Sequence, residues 1–262
     1  MNKFHIIYGI HPLIEAIKEK QIIKKLFIKK EMNIKIGDNY KQLLSLSKKM
    51  NIPVHFVSKH RFDHDQLKYK NHQGVFAFLS PIKTFHIKNL LPIFYKQQKN
   101  PLLLVLDRIT DVKNFGSIIR TAACAGVHSI IIPNKSTARI NSDSIKTSSG
   151  ALFKIPICKE NNIQTTIRYL IQSGLKIISA TEKSDVSWYK IDLSGPTAII
   201  LGNEENGISS KYLKLSSYKV KIPLSKHGIS SLNVSVVCGI LLYEVFRQRQ
   251  LKIIPIPKAN PE

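Results

Sequence analysis

Three short stretches of this chain collect residues able to do polar chemistry beside apolar segments. The first is Asp107-Arg108-Ile109-Thr110-Asp111-Val112-Lys113-Asn114-Phe115-Gly116-Ser117-Ile118-Ile119-Arg120. It follows the apolar run Leu102–Leu106, so its opening loop lies at the carboxyl end of a strand, where open α/β sheets bind ligands. Asn114, Ser117, Arg120 and Cys124 fall at i, +3, +6 and +10, along one stripe of an otherwise apolar helix. A cation in such a helix needs a partner or a task. Arginine is also the minority base, seven of the 40 Lys and Arg residues, and its planar fork grips phosphate or carboxylate. The plain alternative is an arginine whose stem packs and whose head reaches water.

The second stretch is Ile199-Ile200-Leu201-Gly202-Asn203-Glu204-Glu205-Asn206-Gly207-Ile208, an apolar strand running into a glycine-bounded loop with two carboxylates. Glycines at both ends allow a tight turn and close backbone approach to a ligand. The third is Ser230-Ser231-Leu232-Asn233-Val234-Ser235-Val236, where small polar residues open a long apolar helix. Free N–H groups and short polar side chains meet at such a start, which can cap a helix or hold a ligand. Taken singly, the second reads more simply as a solvated turn and the third as a capped core helix. No G-x-G-x-x-G follows a strand, and there is no phosphate loop of the G-x-x-x-x-G-K-[ST] type and no G-x-S-x-G nucleophile elbow.

The elements that must hold these stretches separate into two patterns. Residues 1–80 read as a small α/β domain: helix His11–Lys20, strand Lys25–Lys29, helix Tyr40–Met50, and strands Val54–Val57 and Gln73–Leu79. Residues 81–100 carry Pro81 and Pro92, end in a polar run, and read as a linker around a possible helix. From residue 101 to about 250, strands alternate with helices, which predicts an α/β fold on a mostly parallel sheet. The predicted elements are strand Leu102–Leu106, helix Phe115–Ala125, strand Ser129–Ile132, helix Ile163–Ile171, and strands Lys176–Ser179, Ala198–Leu201 and Lys219–Ile222, then a helix from about Leu232 to Arg247. The proline-bearing tail 251–262 is expected to be disordered.

Composition limits the partners. The formal net charge is +23, which favours a polyanion, although lysines spread over solvated faces would give the same figure. No apolar run approaches a membrane span, and no cleavable leader is apparent, so a cytoplasmic protein is expected. Cys124, Cys158 and Cys238 form no C-x-x-C pair and are expected to be buried reduced thiols. His60 and His64 stand at i, i+4 beside Asp63 and Asp65 without a third ligand group, so a solvated turn is expected there and no metal.

In this order and spacing the three stretches resemble the motifs of the SpoU/TrmH-like branch of the SPOUT RNA methyltransferases: N-x-G-x-x-x-R-T-A at Asn114–Ala122, L-G-N-E-x-x-G at Leu201–Gly207, and S-L-N-V-S-V at Ser231–Val236. Tyr8-Gly9-Ile10-His11-Pro12 and His72-Gln73-Gly74 resemble the RNA-binding N-terminal domain of RlmB-type members. The resemblance implies an S-adenosyl-L-methionine-dependent methylation of a ribose 2′-hydroxyl, in RlmB-type members of a guanosine in 23S ribosomal RNA. It implies a trefoil-knotted SPOUT domain and a homodimer. It implies that Arg120 is the catalytic arginine, helping to deprotonate the hydroxyl or binding the adjacent phosphate. Asn114 and Glu204 would support it, Ser231 and Asn233 would complete the site, and Leu201, Gly202, Ile222, Pro223 and Leu232 would contact the cofactor. Phe115 and Cys238 depart from common motif residues but leave the polar positions intact. Two other readings use the same basic surface: a tRNA ribose 2′-O-methyltransferase, and a non-catalytic RNA-binding ribosome assembly factor.

Overall fold

The computed structural model describes residues 4–30, 37–62, 67–97, 99–225 and 231–251. Residues 252–262 of the expected tail 251–262, the opening residue Ser230 of the third stretch, and Asp63, His64 and Asp65 lie outside the described residues. In chain order the strands are β1 His5–Tyr8, β2 Ile23–Lys29, β3 Val54–Val57, β4 Val75–Leu79, β5 Leu102–Asp107, β6 Ser129–Pro133, β7 Ile157–Glu160, β8 Lys176–Ala180, β9 Thr197–Gly202 and β10 Tyr218–Val220. The helices are α1 Ile10–Lys18, α2 Asp38–Lys49, α3 Ile87–Lys96, α4 Val112–Cys124, α5 Ser142–Thr147, α6 Ile163–Gln172, α7 Ser210–Leu213 and α8 Val234–Leu251. Two compact units result. One gathers Met1–Lys83, Phe115–Arg120 and Arg139–Lys154; the other gathers Thr84–Asn114, Thr121–Ala138 and Ile155–Glu262.

The first unit holds a four-stranded sheet in the order β1-β4-β2-β3. Strand β4 is antiparallel to β1 and β2, and β2 is parallel to β3. Side chains alternate across a sheet with period two. Ile7, Leu26, Ile28, Val75 and Ala77 therefore share one face, and all are buried. Helix α1 buries Leu13, Ile14 and Ile17 at helical spacing. Helix α5 is short and polar and has a capping box: Asn141 accepts from the Ser144 amide while the Ser144 hydroxyl receives the Asn141 amide. Asp143 on that helix accepts from the Tyr8 hydroxyl at 2.6 Å and from Lys70 Nζ at 2.9 Å. Burial opposes its charge, but those two donors outweigh it and lower its pKa.

The second unit is a six-stranded, all-parallel sheet in the order β10-β8-β9-β5-β6-β7. Strand β5 is buried along its whole length, as the apolar run predicts for a central parallel strand. Its register with β9 runs from Leu102↔Thr197 to Asp107↔Gly202, so the first two stretches leave adjacent strands at the same sheet edge. Helix α3 occupies half of residues 81–100, the expected linker, and buries Ile87, Leu91 and Phe94 in the core with Leu103, Val105 and Ile167. Helix α4 starts three residues before the expected Phe115, because Asp111 accepts the Asn114 amide at 2.7 Å and caps it. Strand β10 stops at Val220, short of the expected Ile222, because Lys221 leaves the ladder to bridge Ser187. Cys158 and Cys238 are buried, but Cys124 at the end of α4 is exposed, which corrects the expectation for that thiol.

Candidate active site

The carboxyl ends of β8, β9 and β10 and the start of α8 surround a cavity of about 470 Å³. Its walls include Leu201 and Gly202 from β9, Asn203–Ile208 from the following loop, Ile222 and Leu224 after β10, and Ser231–Val234. Four of the five expected cofactor residues, Leu201, Gly202, Ile222 and Leu232, line it; Pro223 is exposed and does not. Sequence reasoning missed Thr181, Glu182 and Lys183, which leave β8 beside β9 and line the same cavity. The rule that ligands gather at strand carboxyl ends points to them once the strand order is known.

Backbone geometry explains the second stretch. A Cβ on Gly202 would lie 2.3 Å from the Gly207 carbonyl carbon and 2.4 Å from the Ile208 nitrogen, so the loop can close only over glycine. Asn203 ties the turn: its Oδ1 accepts the amides of Glu205 at 2.9 Å and Asn206 at 3.2 Å, and its Nδ2 donates to the Arg108 carbonyl at 3.1 Å. Asp107, buried at the end of β5, accepts the amide and hydroxyl of Ser209, both at 2.7 Å. Arg108 turns back with φ +60° to donate to Asp107 Oδ1 at 3.0 Å and to the Gly207 carbonyl at 3.2 Å. The loop after β9 is thus clamped from the end of β5.

The polar residues of all three stretches then meet. Asn233 Nδ2 donates to Asn114 Oδ1 at 3.0 Å, and Asn114 Nδ2 donates to Glu204 Oε1. Asn233 Oδ1 accepts the amide of Ser235 at 2.9 Å and its hydroxyl at 2.6 Å, which fixes which way the amide points. Donation therefore runs one way, from Asn233 through Asn114 to a carboxylate that remains exposed. Ser231 lines the cavity. Arg120 is exposed on α4 and makes no hydrogen bond or ion pair among the described residues. The structure thus joins Asn114, Glu204 and Asn233 directly and puts Ser231 on the same cavity, while Arg120 is not among the residues lining it. Asn114 and Ser117 are half-buried and Arg120 and Cys124 exposed, whereas Phe115, Ile118, Ile119 and Ala122 are buried.

The cavity suits a cofactor with both apolar and polar parts. Its volume is within the range of small-molecule sites, with Val237 and Leu241 among its apolar walls and Glu182 and Glu204 among its polar ones. Among the described residues no cluster of His, Cys, Asp or Glu could hold a metal ion, and no helix is long and apolar enough to cross a membrane.

Comparison with known proteins identifies the family. The SpoU rRNA Methylase family matches residues 101–243, and the RNA 2′-O ribose methyltransferase substrate-binding family matches residues 6–85. The 23S rRNA (guanosine-2′-O-)-methyltransferase RlmB of Yersinia pestis is 32% identical over 249 residues, covering 94% of this chain and 98% of that protein. The putative TrmH family tRNA/rRNA methyltransferase YacO of Bacillus subtilis is 27% identical over 243 residues, covering 93% and 95%. The SpoU methyltransferase AviRb of Streptomyces viridochromogenes, solved in complex with AdoMet, shares the fold with a TM-score of 0.74, at 22% identity over 95% of this chain and 91% of that one. The chain belongs to the SpoU rRNA methylase family. It is an RNA methyltransferase that uses S-adenosylmethionine to methylate a ribose 2′-hydroxyl.

Proposed function

We propose that the substrate is a guanosine ribose of 23S ribosomal RNA. The name of the Yersinia pestis relative, matched over nearly both whole chains, supports the nucleotide and the RNA. The observation that carries the site reading is the chain Asn233–Asn114–Glu204 at the cavity that Leu201, Gly202, Ile222 and Leu232 line. Bound there, S-adenosylmethionine would supply a methyl group on a sulfonium, whose departure as a neutral thioether needs no acid. The protein's share is positioning of the hydroxyl and removal of its proton. The exposed carboxylate of Glu204, held by Asn114, can accept a hydrogen bond from the 2′-hydroxyl, and Ser231 and Asn233 hold the ribose from the opposite motif. The planar, donor-rich fork of an arginine suits phosphate anchoring better than the role of base, and anchoring is the role assigned to Arg120.

The same reading divides the chain into an RNA-binding domain over residues 1–80 and a methyltransferase domain over 101–250; helix α3, within the expected linker 81–100, packs into the core of the second unit, and Leu251 of the expected tail 251–262 closes α8. It includes the trefoil knot and the homodimer that the motifs imply, and a cytoplasmic location beside ribosomal RNA. Arg120→Ala tests the site: methyl transfer from labelled S-adenosylmethionine to 23S rRNA should vanish while cofactor binding and thermal unfolding stay as in the wild type. Unchanged transfer would remove Arg120 from the mechanism. The name of the Bacillus subtilis relative includes tRNA, so a parallel incubation with a tRNA pool decides between the two substrates.

A further inference from the structure

We propose that helix α5 is a strut that sets the position of Arg120, with Thr147 and Tyr8 as positioning residues for methyl transfer; the inference rests on the reading of Arg120 given above. Three stretches far apart in the chain gather in the first unit: Met1–Lys83, Phe115–Arg120 and Arg139–Lys154. Arg120 therefore belongs to the same compact unit as the substrate-binding region, residues 6–85, although its sequence lies inside the methylase match, residues 101–243. The link between α4 and α5 is at Gly116. A Cβ there would lie 2.5 Å from Thr147 Cβ, 2.9 Å from its Cγ2 and 3.0 Å from the Ser148 nitrogen, so only glycine fits. A glycine inside a helix weakens it relative to alanine, and the close approach of α5 explains why one stands here. Gly116 and Arg120 are at i, i+4, on one face of α4. Thr147 thus bears on the face that presents Arg120.

On its other side α5 is fixed to the sheet and helix of the first unit. Tyr8 on β1 and Lys70 both donate to the Asp143 carboxylate, at 2.6 Å and 2.9 Å. The Thr147 hydroxyl donates to the Asp143 carbonyl at 2.8 Å, which ties the contact with Gly116 to the same residue. Beyond the helix, Ser149 and Gly150 turn with φ +53° and +85°. A Cβ on Gly150 would lie 2.7 Å from Glu15 Cβ and 3.3 Å from Pro12 Cα, both on α1. Lys154 then pairs with Glu15 at 2.6 Å. A helix this short is not stable alone, and Ile145 is its one buried apolar side chain. Charge-assisted hydrogen bonds and close backbone approach hold it instead, and they fix direction as well as distance. Apolar packing would stabilise the unit without fixing that direction. Methyl transfer is sensitive to it, since a displacement of about 1 Å far from the chemistry can slow a reaction about 100-fold. RNA held on the first unit is then in fixed register with the guanidinium that anchors its phosphate.

The test uses the full-length chain and single-turnover transfer of a labelled methyl group from S-adenosylmethionine to 23S rRNA. RNA affinity is read by filter binding and cofactor affinity by calorimetry. Gly116→Ala drives α4 away from Thr147 and should slow transfer about 100-fold, while both affinities stay within about threefold of wild type. Thr147→Gly, added to Gly116→Ala, removes the Cβ and Cγ2 in the way and should restore transfer at least about tenfold, although glycine weakens α5. A role in stability alone gives the opposite order, with the double variant the slower. Tyr8 is buried, and Tyr8→Phe removes one bond to Asp143; it should slow transfer about tenfold with RNA affinity unchanged. That variant keeps the test decisive where Gly116→Ala does not fold. Transfer by Gly116→Ala or Tyr8→Phe within about twofold of wild type would overturn the strut. So would a double variant no faster than Gly116→Ala, or RNA affinity lost in step with the rate. Arg120→Ala, run in parallel, separates the two readings. A wild-type rate there removes the anchor; a slow Arg120→Ala beside a wild-type Gly116→Ala removes the strut alone.

Discussion

The clamp between β5 and the loop after β9 predicts that Asp107→Asn loosens the wall of the proposed cofactor cavity, although Asp107 does not line that cavity. Asp107 is 3% exposed and accepts four hydrogen bonds, from the Ser209 amide and hydroxyl at 2.7 Å and from Arg108 Nε at 3.0 Å and Nη2 at 3.3 Å. Asparagine keeps the shape, removes the charge and turns one acceptor oxygen into a donor. The less costly orientation aims the new NH2 at Arg108, which is half-exposed and can turn to water, and keeps a neutral oxygen for Ser209. Two bonds to a charged acceptor, worth about 1.5–3 kcal/mol each, become neutral bonds worth about 0.5–1.5 kcal/mol. Adding a small solvent-screened loss at Arg108, the change should be about 2–3 kcal/mol. The single tryptophan, Trp188, lies in the same unit, so its fluorescence during urea unfolding reports the loss. Calorimetry should show S-adenosylmethionine binding weakened about tenfold, equivalent to about 1.4 kcal/mol. Arg108→Ala should cost less, since Ser209 still holds the carboxylate. A double-mutant cycle of Asp107→Asn with Ser209→Ala should give a coupling of at least about 1 kcal/mol. A stability change below about 0.5 kcal/mol with unchanged cofactor affinity would refute the clamp.

Three further outcomes follow from other parts of the molecule. Gly202→Ala must force the backbone of Gly207 and Ile208 away, so cofactor binding measured by calorimetry should fall more than about tenfold, with a smaller loss at Gly207→Ala, where a Cβ meets open space but the φ of +62° is strained. Burial pushes the Cys158 thiol up to about 11 and the Cys238 thiol up to about 12, while Cys124 is exposed; a disulfide reagent at mildly alkaline pH should therefore label Cys124 in the native chain and the other two only after denaturation. Asp143 has a lowered pKa in the folded chain, so its stabilising contribution is present above the ordinary carboxylate pKa and is lost as pH falls through the lower, folded value. Asp143→Asn should destabilise the chain in urea at neutral pH, and the difference from wild type should shrink as pH drops below about 4; a difference that grew on acidification would contradict the Tyr8–Asp143–Lys70 contacts.

What was legible in the sequence divides by the kind of constraint each residue obeys. Asn114, Glu204 and Asn233 could be found because each sits in a motif whose neighbours restrict it: an apolar strand before, a glycine or small residue beside, a helix after. The parallel sheet was legible because Leu102–Leu106 and Ala198–Leu201 are apolar without interruption, which only burial on both faces explains. Strand β7 was not, because it offers two apolar residues, Ile157 and Cys158, before turning polar, and it is a strand only because β6 pairs with it. Helix α5 was not either: Ser142–Thr147 has one buried apolar side chain, Ile145, and depends on the Asn141–Ser144 capping box, a signal too short to weigh without its surroundings.

The same division explains why the residues that clamp the loop went unnamed while Asn114, Glu204 and Asn233, which hydrogen-bond to one another, were named. Asp107 and Arg108 stood inside the first stretch, yet nothing in the chain says that they act on a loop 99 residues away. That link exists because Asp107 and Gly202 end adjacent strands in register, which is a property of strand order and not of local pattern. Thr181, Glu182 and Lys183 were missed for the same reason: β8 is next to β9 only in the folded sheet. A motif marks where a ligand restricts residue choice, whereas a clamp can be built from whichever residues the strand order brings together. On this argument Arg108 should tolerate replacement wherever another donor reaches the Gly207 carbonyl, whereas Gly202 should tolerate none, because the atoms that exclude its Cβ are backbone.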